Sequence, residues 1–273
     1  MICKKVPILL SGLPGKMASE IARFAPQIEK MSLLPTALSG SHSGRFEFDG
    51  WVFTLVPIQA QEFFLGSDSL PAGTVAIDFS SPTAALSNAR LYADHSIPFV
   101  MGTTGFDRSA LDSIIKGSNI SAVVAPNTAK PIVALLTALK YISETFPGVL
   151  SGFDLSIIES HQNAKVDVSG TAKSLLPIFE KLGLVASLGQ IRSIRDPAEQ
   201  LALGVPASAL AGHAYHTHQI GSASLGVDLS ISHHVRGRRI YAEGAVAAAI
   251  FLSGKINDGS KGEVFSMLDV MRG

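Results

Sequence analysis

The sequence predicts an α/β protein in which a doubly wound parallel sheet is followed by a second α+β domain containing an open antiparallel sheet. Three observations carry this expectation. Short aliphatic runs alternate with helical segments as far as residue 129. A glycine-spaced turn, Gly12-Leu-Pro-Gly15-Lys-Met-Ala18, follows the first run and opens a helix. Much later, Leu225, Val227, Leu229 and Ile231 alternate with Gly226, Asp228, Ser230 and Ser232, the period of a strand with one buried and one polar face.

Taken in order, the candidate strands of the first domain are residues 8–10, 33–38, 52–56, 75–79, 99–101 and 122–125. Pro7 has no N–H to give a central strand, so the first strand is expected to start there. Residues 153–158 read as a further strand and 171–182 carry apolar residues at helical spacing. After the alternating strand, Arg236-Gly-Arg238 reads as a turn into a last strand at 239–242. From Gly244 onward Ala245, Ala248, Ala249 and Leu252 resume a helical pattern that is expected to pack back on the first domain. The boundaries are therefore 1–129 for a dinucleotide-binding domain, 130–243 for a substrate and oligomerisation domain, and 244–273 for the return.

Composition removes several functions. Lys+Arg and Asp+Glu balance at 22 each over 273 residues, so no global field points to nucleic acid or to an anionic membrane. Cys3 is the single cysteine, which excludes an internal disulfide framework and fits a reducing compartment, with cytoplasm expected. Lys4 and Lys5 precede an apolar run that is too short for a signal-peptide core and is broken by Pro7. No apolar run approaches the roughly 18 residues of a membrane helix.

The turn at 12–18 matches G-x-x-G-x-x-A, where small residues permit a tight turn and close approach of backbone to phosphate, the arrangement of a Rossmann-like domain. A domain of this kind that favours NAD places an acid about 20 residues beyond the glycines, on the ribose hydroxyls. None stands between Glu29 and Glu47. The segment Ser39-Gly-Ser41-His42-Ser-Gly-Arg45 offers hydroxyls and a guanidinium instead, so NADPH is expected over NADH, with Ser39 and Arg45 as contacts. The plainer alternative is a solvated loop, with the ribose held by main chain. Asp78-Phe-Ser-Ser-Pro82, Gly102-Thr-Thr-Gly105 and Ala125-Pro-Asn127 each follow a candidate strand and so gather at the carboxyl edge where such sheets bind ligands.

The stretch 159–173, Glu-Ser-His-Gln-Asn-Ala-Lys-Val-Asp-Val-Ser-Gly-Thr-Ala-Lys, sets the imidazole of His161 and the ammonium of Lys165 on a loop ahead of a helix start. Ser169 is placed to cap that helix, and the N–H groups around Gly170 and Thr171 face whatever lies before it, where the dipole favours an anion such as a carboxylate. Two histidine clusters, His213-Ala-Tyr-His216-Thr-His218 and His233-His234, raise a metal reading. With no cysteine or evident third ligand beside them, no metal is expected.

At these residues the chain resembles the dihydrodipicolinate reductases, the plant-type branch more than the commonest bacterial one. The resemblance covers essentially the whole chain and extends through Arg195-Asp-Pro197, Gly212-His-Ala-Tyr-His216 and Tyr241-Ala-Glu-Gly244. It implies NAD(P)H-dependent reduction of dihydrodipicolinate, or its hydrated precursor, to tetrahydrodipicolinate in lysine and diaminopimelate biosynthesis. It implies His161 as proton donor and Lys165, with Gln162, Ser169, Gly170 and Thr171, on the substrate. It further implies that Gly12, Gly15, Lys16, Met17, Phe79, Ser80, Gly102, Thr103, Thr104, Ala125 and Asn127 line the cofactor, and that the protein is a homo-oligomer, dimer or tetramer. Gln162 and Val168 stand where the bacterial pattern has histidine and proline. Two other readings stay open: another two-domain NAD(P)-dependent oxidoreductase of an amino or sugar acid, and a non-catalytic NADPH sensor. The joint presence of His161 and Lys165 argues against the sensor, since binding alone needs neither.

Overall fold

In the computed structural model, residues 5–67 and 69–273 are described; Cys3 and Lys4, used above, lie outside them. The chain divides into two units, one holding the chain up to Lys130 with Arg239–Gly273, the other Pro131–Arg238. The first unit runs β1 (Val6–Ser11), α1 (Lys16–Phe24), β2 (Met31–Leu38), β3 (Gly44–Phe48), β4 (Trp51–Val56), α2 (Ile58–Leu65), β5 (Val75–Asp78), α3 (Ala85–Asp94), β6 (Phe99–Met101), α4 (Arg108–Lys116) and β7 (Ala122–Val124). The second holds almost all of α5 (Lys130–Thr145), then β8 (Asp154–His161), α6 (Gly170–Lys181), β9 (Ile191–Ile194), α7 (Pro197–Ala202), β10 (His213–Ser222) and β11 (Val227–Arg236). The chain then returns to the first unit with α8 (Arg239–Asn257), β12 (Val264–Phe265) and α9 (Met267–Arg272).

The first unit's 8-stranded sheet has the order β12-β7-β6-β5-β1-β2-β4-β3, built outward in both directions from β1. All pairings are parallel except β3 with β4, so the doubly wound class expected from the alternating runs is borne out. The runs are unbroken because these strands are covered on both faces: Ile8, Leu9, Val100 and Val123 are all fully buried. Pro7 is the second residue of β1, not the first. Val6 N–H bonds Lys30 O and Gly12 N–H bonds Leu38 O, so alternation turns the Pro7 nitrogen to the β5 side, where pairing begins only at Ile8 opposite Val75. No ladder bond is lost there.

The expected loop around Arg45 is partly strand. Asp49 (φ 48°) and Gly50 (φ 79°) form a two-residue turn that pairs β3 with β4 from Phe48 opposite Trp51. Arg45 therefore sits on the sheet's outer edge.

In the second unit the sheet order is β11-β10-β8-β9, antiparallel except for β8 with β9. Leu155, Ile157, Leu175 and Phe179 form its core between β8 and α6. Two expectations are corrected. Residues 239–242 begin α8 and are not a strand. The apolar side of β11 is covered over only part of its length: Ile231 packs against that core and Val235 is buried, whereas Leu229 keeps 45% and Val227 38% of its surface. Among the described residues no helix is long and apolar enough to cross a membrane.

α8 packs on α1, β5 and β6 through a small-residue face of Ala242, Gly244, Ala245, Ala248 and Ala249. At Gly244 a Cβ would stand 1.7 Å from Thr128 O, and the Thr128 hydroxyl donates to Tyr241 O at 2.8 Å across the same contact. Gly244→Ala must push the helix off its seat. It should destabilise by about 1–3 kcal/mol, read as a lower urea midpoint at unchanged slope.

Candidate active site

Two clusters of functional side chains are present, one in each unit. In the second, β8 sets Glu159 and His161 two residues apart on one face, and the β8–β10 register puts His216 opposite Glu159 on that face. Ser160 points to the other side, where its hydroxyl meets His213 Nε2 at 2.8 Å.

Glu159 has no solvent exposure. Its Oε1 accepts from Ser193 Oγ at 2.6 Å and from Arg195 Nη2 at 2.5 Å. His161 Nε2 lies 3.1 Å from Oε2, within ion-pair distance, but off hydrogen-bond direction, and Oε2 accepts no hydrogen bond. Burial by itself raises the Glu159 pKa, but the His161 ring, the Ser193 hydroxyl and the Arg195 guanidinium outweigh it and bring it to about 2. The carboxylate is thus an anion throughout the neutral range.

The same arginine shapes the loop. Arg195 Nε donates to Lys165 O at 2.9 Å and Nη2 to Asp167 O at 3.1 Å, while Lys165 N–H closes a turn on Gln162 O at 2.9 Å. Gln200 Nε2 holds His161 O at 2.7 Å. Lys165 is half-buried, and its ammonium pairs with no carboxylate among the described residues. The loop ends at α6. Ser169 occupies the N-cap position but, against expectation, its hydroxyl makes no capping bond; the residue is 4% exposed. The first-turn N–H groups from Gly170 and Thr171 onward thus lack a side-chain cap, which leaves an anion site at the positive end of the helix dipole.

His161 Nε2 also approaches His216 Nε2, at 3.2 Å, with the rings edge to face. His216 stacks on His233 with centroids 4.6 Å apart. Burial, then His233 and His161, push His216 down to about 2, and burial with His218 and His234 brings His233 to about 4. Both rings are neutral at pH 7. The third ligand type that the histidine clusters lacked in sequence comes from β8: Glu159, His161 and His216 place their ligand atoms within 4.8 Å of one another.

In the first unit a cavity of about 480 Å³ opens at the carboxyl edge of the sheet, between the 12–15 turn, the 39–42 loop and the 79–81 loop. Gly12 has φ +107° and a Cβ there would meet Phe79 O at 2.6 Å; one at Gly15 would meet Gly12 O at 2.6 Å. α1 begins beyond them with no side-chain cap. A glycine-tight turn before an uncapped nine-residue helix, opening on a cavity, fits the phosphates of a dinucleotide. Asp78 is fully buried and fixes the next loop, accepting from Ser80 N–H (2.9 Å), Asn88 Nδ2 (2.8 Å) and Tyr92 Oη (2.8 Å).

Of the residues expected at the cofactor, Gly12, Gly15, Ser39, Phe79 and Ser80 line this cavity. Lys16 and Met17 form the first turn of α1 behind it. Gly102 packs under the Phe79 ring, which a Cβ would strike at 2.2 Å, and Thr103 Oγ1 donates to Ser80 O at 3.3 Å. Thr104, Ala125 and Asn127 follow β6 and β7 at the same edge without lining the cavity. Arg45 also lies outside the lining, where it pairs with Glu47 at 2.7 Å. His42, Ile58 and Gln61 line the cavity but were not assigned to it from sequence. Gln61 Nε2 holds Ser39 O at 2.7 Å, and the Ser39 hydroxyl bonds His42 O.

Comparison with known proteins agrees along the whole chain. Residues 6–128 match the family described as dihydrodipicolinate reductase, N-terminus, and 132–271 the one described as dihydrodipicolinate reductase, C-terminus. The chain is 38% identical to the rice (Oryza sativa subsp. japonica) protein named probable 4-hydroxy-tetrahydrodipicolinate reductase 1, chloroplastic, over 97% of this chain and 78% of that one. It is 37% identical to the Arabidopsis thaliana 4-hydroxy-tetrahydrodipicolinate reductase 2, chloroplastic, over 98% of this chain and 77% of that one. A dipicolinate-bound dihydrodipicolinate reductase from Paenisporosarcina sp. TG-14 shares the fold, with TM-score 0.65 at 20% identity over 97% of this chain and 98% of that one.

The Glu159 pKa, lowered from 4.5 to about 2, has a consequence for stability. The depressed carboxyl stabilises the native state fully above about pH 4.5, by about 3 kcal/mol, and this is lost as pH falls through about 2. Urea unfolding at about pH 5 and pH 2.5 should show that loss in the parent chain and a smaller one in Glu159→Gln.

Proposed function

The chain belongs to the dihydrodipicolinate reductase family, and from that premise we propose that it reduces 4-hydroxy-tetrahydrodipicolinate, whose hydroxyl leaves as water, to tetrahydrodipicolinate with a nicotinamide cofactor, a step of lysine and diaminopimelate biosynthesis. The observation that carries the reading is the half-buried ammonium of Lys165, without a carboxylate partner among the described residues, on a loop that leads into the uncapped start of α6. A cation and a set of free N–H groups on one short segment suit a small dicarboxylate.

A bound nicotinamide supplies the hydride. Lys165, with Ser169 and the N–H groups of Gly170 and Thr171, binds a substrate carboxylate and meets the negative charge that grows as the ring is reduced. Gln162 closes the turn that sets Lys165. His161 donates the proton that balances hydride addition. Glu159 is a positioning residue that holds the His161 ring, and Arg195 keeps that carboxylate and the Lys165 loop in register. In the first unit Gly12, Gly15, Lys16 and Met17 would hold the phosphates. Phe79 and Ser80, on a base formed by Gly102, Thr103, Thr104, Ala125 and Asn127, would flank the rest of the cofactor.

The NADPH preference is supported by a lining with no carboxylate and with Ser39, Ser41 and His42 at the 39–42 loop. Self-association is supported by the uncovered apolar row Leu225, Val227 and Leu229 on and beside β11. The single cysteine supports a reducing compartment such as the cytoplasm.

Following reduced-cofactor absorbance with freshly generated substrate tests the reaction; no substrate-dependent oxidation overturns it. Lys165→Ala should lower kcat by about 10²–10³ while the NADPH dissociation constant stays put. An equal loss of cofactor affinity would put the lysine in the cofactor site. A charge-assisted contact of about 1.5–3 kcal/mol corresponds to about 10- to 150-fold tighter binding of NADPH than NADH, read by titration. Equal affinities would remove the preference.

A further inference from the structure

We propose that Glu159, His161 and His216 form a binding site for a divalent cation of the zinc class, and that filling it silences the enzyme. The silencing rests on the reaction proposed above, whereas the binding does not. The donor atoms come from two neighbouring strands with Glu159 and His216 in register and His161 two residues on along the same face. His161 Nε2 lies 3.1 Å from Glu159 Oε2 and 3.2 Å from His216 Nε2. Ligand atoms bound tetrahedrally at about 2.0–2.1 Å stand about 3.3 Å apart, so these two separations suit such a shell, and all three ligand atoms lie within 4.8 Å of one another.

Two further features point to a ligand. Glu159 Oε2 is buried and accepts no hydrogen bond, an orphaned acceptor that a cation would satisfy. Its sister Oε1 is tied by Ser193 and Arg195, and the His216 ring is stacked on His233, so the groups behind the ligands hold them in orientation. Two imidazoles that face each other through Nε2 are reconciled either by a proton between them or by a cation. The two occupants exclude each other: a cation held there takes the Nε2 atom of His161 that the proposed reaction needs for its proton, with no redox change. Two nitrogens and one oxygen suit Zn²⁺, Co²⁺ or Ni²⁺ over Mg²⁺ and Ca²⁺, and three protein ligands leave a position for water.

The test is calorimetric titration of the full, tag-free chain with zinc chloride, without substrate or cofactor because a dicarboxylate substrate itself chelates. One zinc per chain is expected. Glu159→Gln and His216→Phe should each weaken binding by about 10- to 100-fold. His95→Gln, which removes a His–Glu pair of similar spacing (3.0 Å to Glu62) elsewhere, should leave it unchanged. Cobalt uptake by the unsubstituted chain should give the strong visible absorption of a four-coordinate site and needs no variant to fold. Absence of stoichiometric uptake, uptake indifferent to both ligand variants, or a weak six-coordinate cobalt spectrum overturns the site. Zinc-loaded chain should oxidise no NADPH until a chelator is added; bound zinc with full turnover overturns the silencing. If the metal-free chain shows no turnover at all, the proposed reaction fails and the titration still judges the site.

Discussion

A carboxylate without solvent access is costly unless it is paired, and the second unit is organised around that cost at Glu159. Arg195 and Ser193 reach Oε1 from β9 and its end, so the β8–β9 pairing and the charge stabilise one another. Because the Arg195 guanidinium also holds Lys165 O and Asp167 O, the path of the substrate loop depends on the same charge. Removing the carboxylate therefore acts on three things together: a buried ion pair, a loop and a histidine.

The first unit uses packing where the second uses charge. Gly12 is pressed against Phe79 O, and Gly102 against the Phe79 ring, so the 12–15 turn, the loop after β5 and the loop after β6 are stacked on one another with no room for a methyl group. Asp78 beneath them is a buried carboxylate satisfied by three donors. Gly244 against Thr128 repeats the device where α8 returns to the sheet.

How much was legible follows from what each signal reports. Fully covered strands such as Phe99–Met101 read plainly, because burial on both faces leaves an apolar run. The segment 159–173 was legible because its groups lie close together in sequence, although Glu159 and His161 end β8 and only Lys165 stands on the loop expected for His161 as well. Period-two alternation at β11 reported a strand with two unlike faces, but it cannot say how far the apolar one is covered, and here cover reaches Ile231 and Val235 but leaves Val227 and Leu229 exposed. Residues 239–242 were too few to distinguish a strand from the first turn of α8. β3 carried a readable signal in Asp49-Gly50, a turn pair that fixes a two-residue hairpin, and with it the edge position of Arg45. The pairing of Glu159 with His216 was hidden, because strand register over a long sequence separation is set by tertiary packing. The i, i+2 spacing of Glu159 and His161 was the one available hint that they share a face.

The central claim is that the Glu159 charge sets His161 and, through Arg195, the loop that carries Lys165. Steady-state kinetics of Glu159→Gln, which keeps the shape and removes the charge, tests this most directly. The account predicts a kcat lower by on the order of 10², with an intact fold and unchanged NADPH affinity. A folded Glu159→Gln chain that turns over at the parent rate would contradict it.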